Sequence, residues 1–226
     1  MTVNVLTLTF VNDLKPHEVP LFRGAVINAL ENKDVLFHNH TDDNRLRYSY
    51  PLIQYKTQRG KACLVCIGPG TDAIGEFFAS GHFDVVLGDR HEHLQLQHID
   101  PRRCNIQVWQ QMFDYRIRRW TPLNSENYRS FQECDSLADR CQLLESILRG
   151  NILSMGRGLG IEFDREVKCN IKELAEPYLV NVKHVKLMGF NALFGCNVSL
   201  PSNIGLGRHA SLNCGIVTAV HTKETE

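Results

Sequence analysis

A chain of 226 residues with 43% hydrophobic side chains is long enough for one ordinary domain or two small ones, and it can bury a core. Its formal net charge is zero, which excludes a uniformly basic protein, so any contact with a polyanion must come from local patches. No apolar run approaches the roughly 18 residues that span a bilayer, and Met1 leads into a strand-like segment without a charged leader. The composition predicts a soluble cytoplasmic protein with no membrane partner and with eight reduced cysteines.

The first half of the chain predicts the element order β-α-β-β-α-β. Alternation of apolar and polar residues marks the strands, and helical spacing of apolar residues marks the helices. The strands are predicted at 3–11, 48–56, 62–67 and within 82–99, and the helices at 18–30 and 72–78. This order is that of the ferredoxin-like fold, an antiparallel sheet backed by two helices.

The second half predicts a similar unit. Strands are predicted at 104–120, 162–174 and 178–187, and helices at 124–131 and 137–154. The longer helix places Leu137, Cys141, Leu144, Ile147 and Leu148 on one face. The sequence therefore predicts an α+β fold of two tandem ferredoxin-like domains, residues 1–100 and residues 101–226.

Two histidines, His38 and His40, lie in a polar loop shortly before Tyr48. Imidazole titrates near pH ~6.5, so one histidine can take a proton while the other gives one, as in a ribonuclease that works without metal. A metal site completed by Asp42 and Asp43 is the chemical alternative. Two solvated loop histidines are the structural alternative, and the residues alone leave all three open.

Three other motifs predict structure rather than chemistry. The glycine-rich stretch 68–75 lacks the spacing of a nucleotide-binding loop and carries Asp72 where a phosphate would sit, which favours an N-capped turn. Cys63 and Cys66 fall on a predicted strand and are interpreted as core residues. His91-Glu92-His93 with His98 is a weak candidate for a metal site.

Two basic stretches suit a nucleic acid. The stretch from 102 to 129 holds six arginines and only two acids, Asp114 and Glu126, and the aromatic residues Tyr115, Trp120 and Tyr128 lie among the arginines. The arginines are Arg102, Arg103, Arg116, Arg118, Arg119 and Arg129. From position 177 to 223 the chain holds no Asp or Glu, and this part contains the glycine-rich run 201–211 with Arg208. Each stretch also fits a solvated basic surface or a turn.

Three stretches of the chain carry a family likeness: 21–25 leading to Leu36-Phe37-His38-Asn39-His40 and 47–56; 120–128; and Leu200-Pro201 through Gly205-Leu206-Gly207 to Cys214-Gly215. In these stretches the chain resembles the CRISPR repeat-processing endoribonucleases of the RAMP superfamily, the Cas six family, and most closely its "b" subgroup. At 212–215 the chain reads Leu-Asn-Cys-Gly, where members usually show an Arg-Gly-Phe-Gly-like sequence.

The resemblance implies a fold of two ferredoxin-like units and an enzyme that cuts CRISPR precursor RNA within its repeats. It implies attack by the ribose 2′-OH, a 2′,3′-cyclic phosphate product, and no metal or other cofactor. His38 and His40 would be the acid and base, in an order that the sequence does not give, and Tyr48 would assist. The residues expected to hold RNA are Arg116, Arg118, Arg119, Lys186, Gly205, Gly207, Arg208 and Ser211.

The implied partner is CRISPR repeat RNA. Association with other Cas proteins of an interference complex and a homodimer both stay open. The alternative function is a non-catalytic RNA-binding subunit of a guide-RNA complex.

Overall fold

The computed structural model describes residues 1–29, 50–81, 83–183 and 185–220. The chain divides into two compact units. The first comprises residues 2–104 and 211–213, and the second comprises Met1, residues 105–210 and the residues from 214 on. The glycine-rich segment, residues 201–215, therefore begins in the second unit and contributes residues 211–213 to the first.

The first unit has the ferredoxin-like strand order. Its elements are β1 (Thr2–Asp13), α1 (Val19–Asn28), β2 (Ile53–Gln58), β3 (Lys61–Ile67), α2 (Gly70–Ser80), β4 (Asp84–Leu87), β5 (Arg90–His93) and β6 (Leu96–Asn105). The four-stranded sheet runs β2-β3-β1-β6, with β3 antiparallel to both of its neighbours. The first strand thus lies between the third and the last, as the predicted fold requires. Strands β4 and β5 form a separate antiparallel hairpin.

Aromatic and aliphatic side chains fill the core of this unit. Phe22 of α1 makes edge contacts with Phe10 of β1 and Tyr55 of β2, each with 6.0 Å between ring centroids. Strand β3 is buried along almost its whole length, so Cys63 and Cys66 are both inaccessible although they point to opposite faces. Their interpretation as core residues is confirmed.

The second unit has the same strand order in its sheet, with changes in the elements that connect the strands. Its elements are β7 (Val108–Trp120), α3 (Ser125–Glu133), α4 (Leu137–Gly158), β8 (Cys169–Leu174), β9 (Tyr178–Val182), β10 (Val185–Val198) and β11 (Ile216–Ala219). The sheet runs β11-β7-β10-β8, and β9 also pairs with β10. Strands β8 and β9 thus share the place of one strand. Residues 199–215 form turns rather than the helix that precedes the last strand in the first unit.

Helices α3 and α4 begin where their capping residues place them. The Asn124 side chain accepts a bond from the Asn127 backbone N–H, and Ser136 forms a reciprocal capping box with Asp139. Helix α4 buries Leu144, Leu148, Ile152 and Met155. Leu137, expected on the same apolar face, is 68% exposed, because it lies in the first turn at the end of that stripe.

Two strand predictions in this unit were wrong in extent. The strand expected over 162–174 begins only at Cys169, because the side chain of Asn197 bonds to Glu166 O and Lys168 N in place of a neighbouring strand. The segment 178–187 is the turn and arms of a hairpin rather than one strand. The chain turns at Lys183, whose φ of 47° lies in the left-handed region without a glycine to signal it.

Candidate functional site

The glycine-rich segment, residues 201–215, is packed rather than open. Gly205 is buried, and a Cβ there would lie 2.7 Å from Ala210 O and 2.8 Å from Cys214 O. Gly207 has a φ of 81°, and a Cβ there would collide with Asn151 Oδ1. These glycines let the backbone fold tightly on itself, so any part they play in binding is to shape the loop.

Arg208 projects from this folded segment into solvent. Its carbonyl accepts a bond from Thr121 Oγ1 at 3.2 Å, and its Nη1 donates to Leu123 O at 3.3 Å. Both partners follow directly after β7. A guanidinium has five N–H donors, so these contacts orient Arg208 and leave donors suited to phosphate oxygens.

Arg208 and Lys183 both lie close enough to His209 for their charges to act on it, and these three side chains are called the basic cluster. His209 is half-buried with a φ of 58°. Burial lowers its pKa, and the nearby charges of Arg208 and Lys183 lower it further. Lys186 lies in the same β9–β10 hairpin as Lys183, opposite Asn181, and is exposed. Lys183 and Arg208 supply the positive charge of the cluster, in a stretch of sequence that has no acid.

A second basic surface lies on the face of the β7 sheet that the helices leave open. Arg116 and Arg118 are exposed, while Tyr115 and Ile117 between and beside them are buried on the other face. On that buried side Trp120 Nε1 donates to Asn151 of α4 at 3.1 Å. Arg119 is half-buried with a φ of 51°, where the β7–β10 register shifts by one residue.

The open face also carries an ion pair that reaches across β10. Lys172 Nζ of β8 lies 2.6 Å from a carboxylate oxygen of Asp114 on β7. The strand between them has Gly195 at this position, and a Cβ there would lie 2.5 Å from Asn170 Oδ1. Neither Lys172 nor His209 was predicted as a site residue from the sequence. For His209, the signal that could have indicated it is the stretch without Asp or Glu in which it lies.

The six arginines of the sequence motif lie on three different elements. Arg102 and Arg103 belong to β6, where they line a cleft of about 370 Å³ with Asn4, Leu6 and Thr71. Arg102 is tied to Asp100, with Nε 2.9 Å from a carboxylate oxygen. Arg129 lies on α3. Of the group, only Arg116 and Arg118 share an exposed face of one strand.

The end of the glycine-rich segment joins the sheet of the first unit. Tyr55 N of β2 donates to Ser211 O at 2.9 Å, and Leu212 forms a parallel bridge with Tyr55. Asn213 Oδ1 accepts from Thr57 N at 3.4 Å. Leu212 and Asn213, at the position where the chain departs from the usual family sequence, are both buried. They extend the edge of β2.

The predicted catalytic residues His38, His40 and Tyr48 lie outside the described residues, as do Asp42 and Asp43. The described chain resumes at Tyr50, whose hydroxyl accepts a bond from Gln54 Nε2 at 3.0 Å. Burial raises the pKa of Tyr50 well above its usual value, which suits a structural hydroxyl. Lys56, a weaker candidate for stabilising phosphate charge, is only 3% exposed.

The remaining motifs have structural partners. Helix α2 begins at Gly70, where a Cβ would lie 2.5 Å from Leu52 O, and it has no side-chain cap, so the expected N-cap is wrong. In β5, Glu92 accepts a bond from Asn12 and His93 lies 2.8 Å from Asp84. Among the residues that the structure describes, no three His, Cys, Asp or Glu side chains are grouped to hold a metal ion.

Comparison with known families identifies both halves of the chain. Residues 1–105 match the Cas6b N-terminal domain, and residues 107–220 match the Cas6b C-terminal domain. The chain belongs to the Cas6b family. It is also 36% identical, over 114 residues, to an uncharacterized protein of Methanocaldococcus jannaschii; the match covers 50% of this chain and 76% of that protein.

Solved structures of Cas6b proteins have the same fold. One crystal structure of Cas6b superposes with a TM-score of 0.81 at 23% identity, covering 97% of this chain and 100% of that one. A second, described as the CRISPR RNA processing endoribonuclease Cas6b, gives 0.73 at 23% identity with the same coverage. The α+β fold with tandem ferredoxin-like units is thus confirmed for this Cas6b chain. None of its described helices is long and apolar enough to cross a membrane.

Proposed function

We propose that this Cas6b chain is an endoribonuclease that cuts CRISPR precursor RNA within its repeats. The observation that carries the proposal is the match of both Cas6b domains, in order, along almost the whole chain. One solved Cas6b relative is described as a CRISPR RNA processing endoribonuclease. The two cations of the basic cluster, Lys183 and Arg208, support a polyanionic substrate.

The chemistry follows from two imidazoles and a ribose. One of His38 and His40 removes the proton of the 2′-OH, and the 2′ oxygen attacks the adjacent phosphorus. The other donates a proton to the departing 5′ oxygen. The products are a 2′,3′-cyclic phosphate and a 5′-hydroxyl end, and no step requires a metal. In this proposal Tyr48 donates a hydrogen bond that positions the scissile phosphate.

The chain course supports a link between these residues and the glycine-rich segment. The histidines fall in sequence between the end of α1 at Asn28 and the start of β2 at Ile53. Residues 211–213 lie along β2, where Tyr55 N donates to Ser211 O. The RNA-binding and catalytic segments are therefore expected to act on the same stretch of repeat RNA.

The remaining RNA contacts are assigned to the second unit. The basic cluster and Lys186 would hold phosphates through charge-assisted hydrogen bonds. Arg116 and Arg118, on the open sheet face, would add two further cations. In this division of labour residues 101–226 chiefly hold the RNA, and residues 1–100 supply the catalytic histidines.

The direct test is to incubate the full chain with repeat RNA in excess EDTA and to analyse the ends of the products. A single cut that leaves a 2′,3′-cyclic phosphate is expected. Activity that EDTA abolishes and Mg²⁺ or Mn²⁺ restores would contradict the metal-free mechanism. Tight binding of intact repeat RNA under both conditions would contradict the catalytic proposal and indicate an RNA-binding subunit.

A further inference from the structure

Two cysteines of the second unit face each other across adjacent strands. Cys169 of β8 is directly opposite Cys196 of β10 in an antiparallel pair. Their sulfurs are 3.7 Å apart, within range of a thiol hydrogen bond. All eight cysteines are free thiols in this structure.

The register places the two cysteines where antiparallel strands come closest. At the neighbouring position, Asn197 donates its backbone N–H to Lys168 O at 3.2 Å, and its side-chain Oδ1 accepts from Lys168 N at 2.8 Å, so Asn197 and Lys168 are bonded across the strands in the manner of a hydrogen-bonded pair. In an antiparallel ladder such pairs alternate with non-hydrogen-bonded pairs, whose Cα atoms approach to about 4.5 Å. That separation lies inside the range of about 4.4–6.8 Å that a disulfide spans. Cys169 and Cys196 can therefore be linked without moving the backbone far.

The two thiols differ in burial and in their hydrogen bonds. Cys196 is fully buried, and its sulfur accepts the backbone N–H of Val198 at 3.3 Å. The hydrogen bond from the Cys169 thiol, together with that N–H, lowers the pKa of Cys196, and the same hydrogen bond together with burial raises the pKa of Cys169. Cys169 is half-buried on β8, an edge strand of the sheet, so solutes reach it first.

We propose that Cys169 and Cys196 are a site of oxidative modification that forms an intramolecular disulfide with a low-molecular-weight disulfide such as oxidised glutathione. Cys169 attacks one glutathione sulfur, forms a mixed disulfide and releases the first glutathione thiolate, which takes up its proton. Cys196 then attacks the Cys169 sulfur, and the second glutathione leaves as a thiol. Two protein thiols are oxidised and one glutathione disulfide is reduced to two thiols.

The link would join the edge strand β8 to the central strand β10. It closes a loop of 27 residues that contains the turn to β9. A disulfide of this kind restricts the unfolded chain, so oxidation is expected to raise the thermal midpoint by a few degrees. This inference is independent of RNA cleavage.

Peptide mapping of the wild-type chain tests the proposal. The folded protein is incubated with excess oxidised glutathione, quenched in acid, alkylated and digested with trypsin. The expected product is peptide 169–172 joined to peptide 187–208, with a mass lower by two hydrogen atoms than the sum of the two peptides. Half-buried Cys134, in peptide 130–140, serves as the control thiol and is expected to remain alkylated or to carry glutathione, without an internal link.

Two outcomes would overturn the proposal. One is a stable glutathione adduct on Cys169 without the link, and the other is alkylation of both cysteines to the same extent as Cys134. Cys196→Ser is expected to trap the mixed disulfide on Cys169; if that variant does not fold, the wild-type map still decides. The thermal midpoint of the oxidised chain should return to the reduced value after dithiothreitol, and a midpoint lowered by oxidation would contradict a site built for the link.

Discussion

The backbone of Gly207 packs directly against the hydrogen bond between Trp120 and Asn151. Its φ is 81°, and a Cβ there would collide with Asn151 Oδ1, which accepts the Trp120 Nε1 proton at 3.1 Å. The Gly207→Ala substitution is therefore expected to destabilise the fold by about 2–4 kcal/mol, through backbone strain and the disruption of a buried hydrogen bond.

Gly150 is the matched control. It lies in α4, and a Cβ there would meet no atom within 4 Å. Gly150→Ala is expected to stabilise the helix by roughly 0.5–1 kcal/mol. The free energies of unfolding of both variants, measured in urea, test these two predictions. A Gly207→Ala variant as stable as the wild type would mean that the segment 201–215 does not fold as described.

Tyr115 gives a pH dependence of stability at alkaline pH. Its hydroxyl donates to Val198 O at 3.1 Å and accepts from Leu200 N at 2.8 Å. Burial raises the pKa of Tyr115 to about 12, against about 10 in the unfolded chain. As the pH rises, the unfolded chain therefore loses this proton first. The contribution of the Tyr115 hydroxyl to the free energy of unfolding is intact below pH ~10 and is lost as the pH rises toward ~12.

Replacing Tyr115 by Phe should remove that part of the pH dependence. Between pH ~10 and ~12 the wild type is expected to lose up to about 1.4 kcal/mol per pH unit more than the variant does. The measurement is the free energy of unfolding in urea across this range. Parallel curves for the two proteins would show that Tyr115 ionises equally in the folded and unfolded states.

At the scale of an element, strand β7 carries opposite chemistries on its two faces. Tyr115 and Ile117 are buried, while Arg116 and Arg118 face solvent. The Arg116→Ala/Arg118→Ala variant is expected to weaken RNA binding and to reduce the slope of log K against log salt by ~0.7–0.9 for each phosphate that an arginine no longer neutralises. Stability should change little, because both side chains are exposed.

Arg157→Ala is the control for this prediction. Arg157 is exposed in the last turn of α4, in the helical layer rather than on the open sheet face. Its removal should leave both affinity and salt slope close to the wild type. RNA titrations at several salt concentrations distinguish the two variants, and an equal decrease of affinity in both would show only a general effect of net charge.

The elements also show what the sequence could predict and why the rest was missed. Alternation of apolar and polar residues located β1 and β3 closely, and helical spacing located α3 and α4, because those signals are local. The bulge at Arg119 and the bonds of Asn197 depend on partners distant in the chain, and the turn at Lys183 has no glycine to mark it. No local pattern distinguishes such positions.

Some features of the candidate site could likewise be predicted from the sequence, and others could not. The resemblance named His38, His40 and the glycine-rich segment, and acid depletion indicated Arg208. The burial of Gly205, the proximity of Lys183 to His209, and the seating of Ser211 on β2 follow only from the fold. The arginine motif of the sequence is divided among β6, β7 and α3, because two strands and a helix share this stretch of sequence.

At the scale of the whole molecule, the proposed function assigns binding and cutting to separate stretches of sequence. The glycine-rich segment and its basic neighbours would bind repeat RNA, and the segment that contains His38 and His40 would cut it. Residues 211–213 lie along β2, and β2 is the first described strand after the histidine segment in sequence. Binding and cleavage should therefore be separable by substitution.

The decisive measurement is single-turnover cleavage of repeat RNA by the wild type and by the His38→Ala/His40→Ala variant, with binding measured in parallel. Removal of both the base and the acid should lower the cleavage rate by at least ~10²–10⁴-fold, because each proton transfer contributes about that much. RNA affinity should stay within a few-fold of the wild type. Cleavage by the double variant at the wild-type rate would contradict the proposed function.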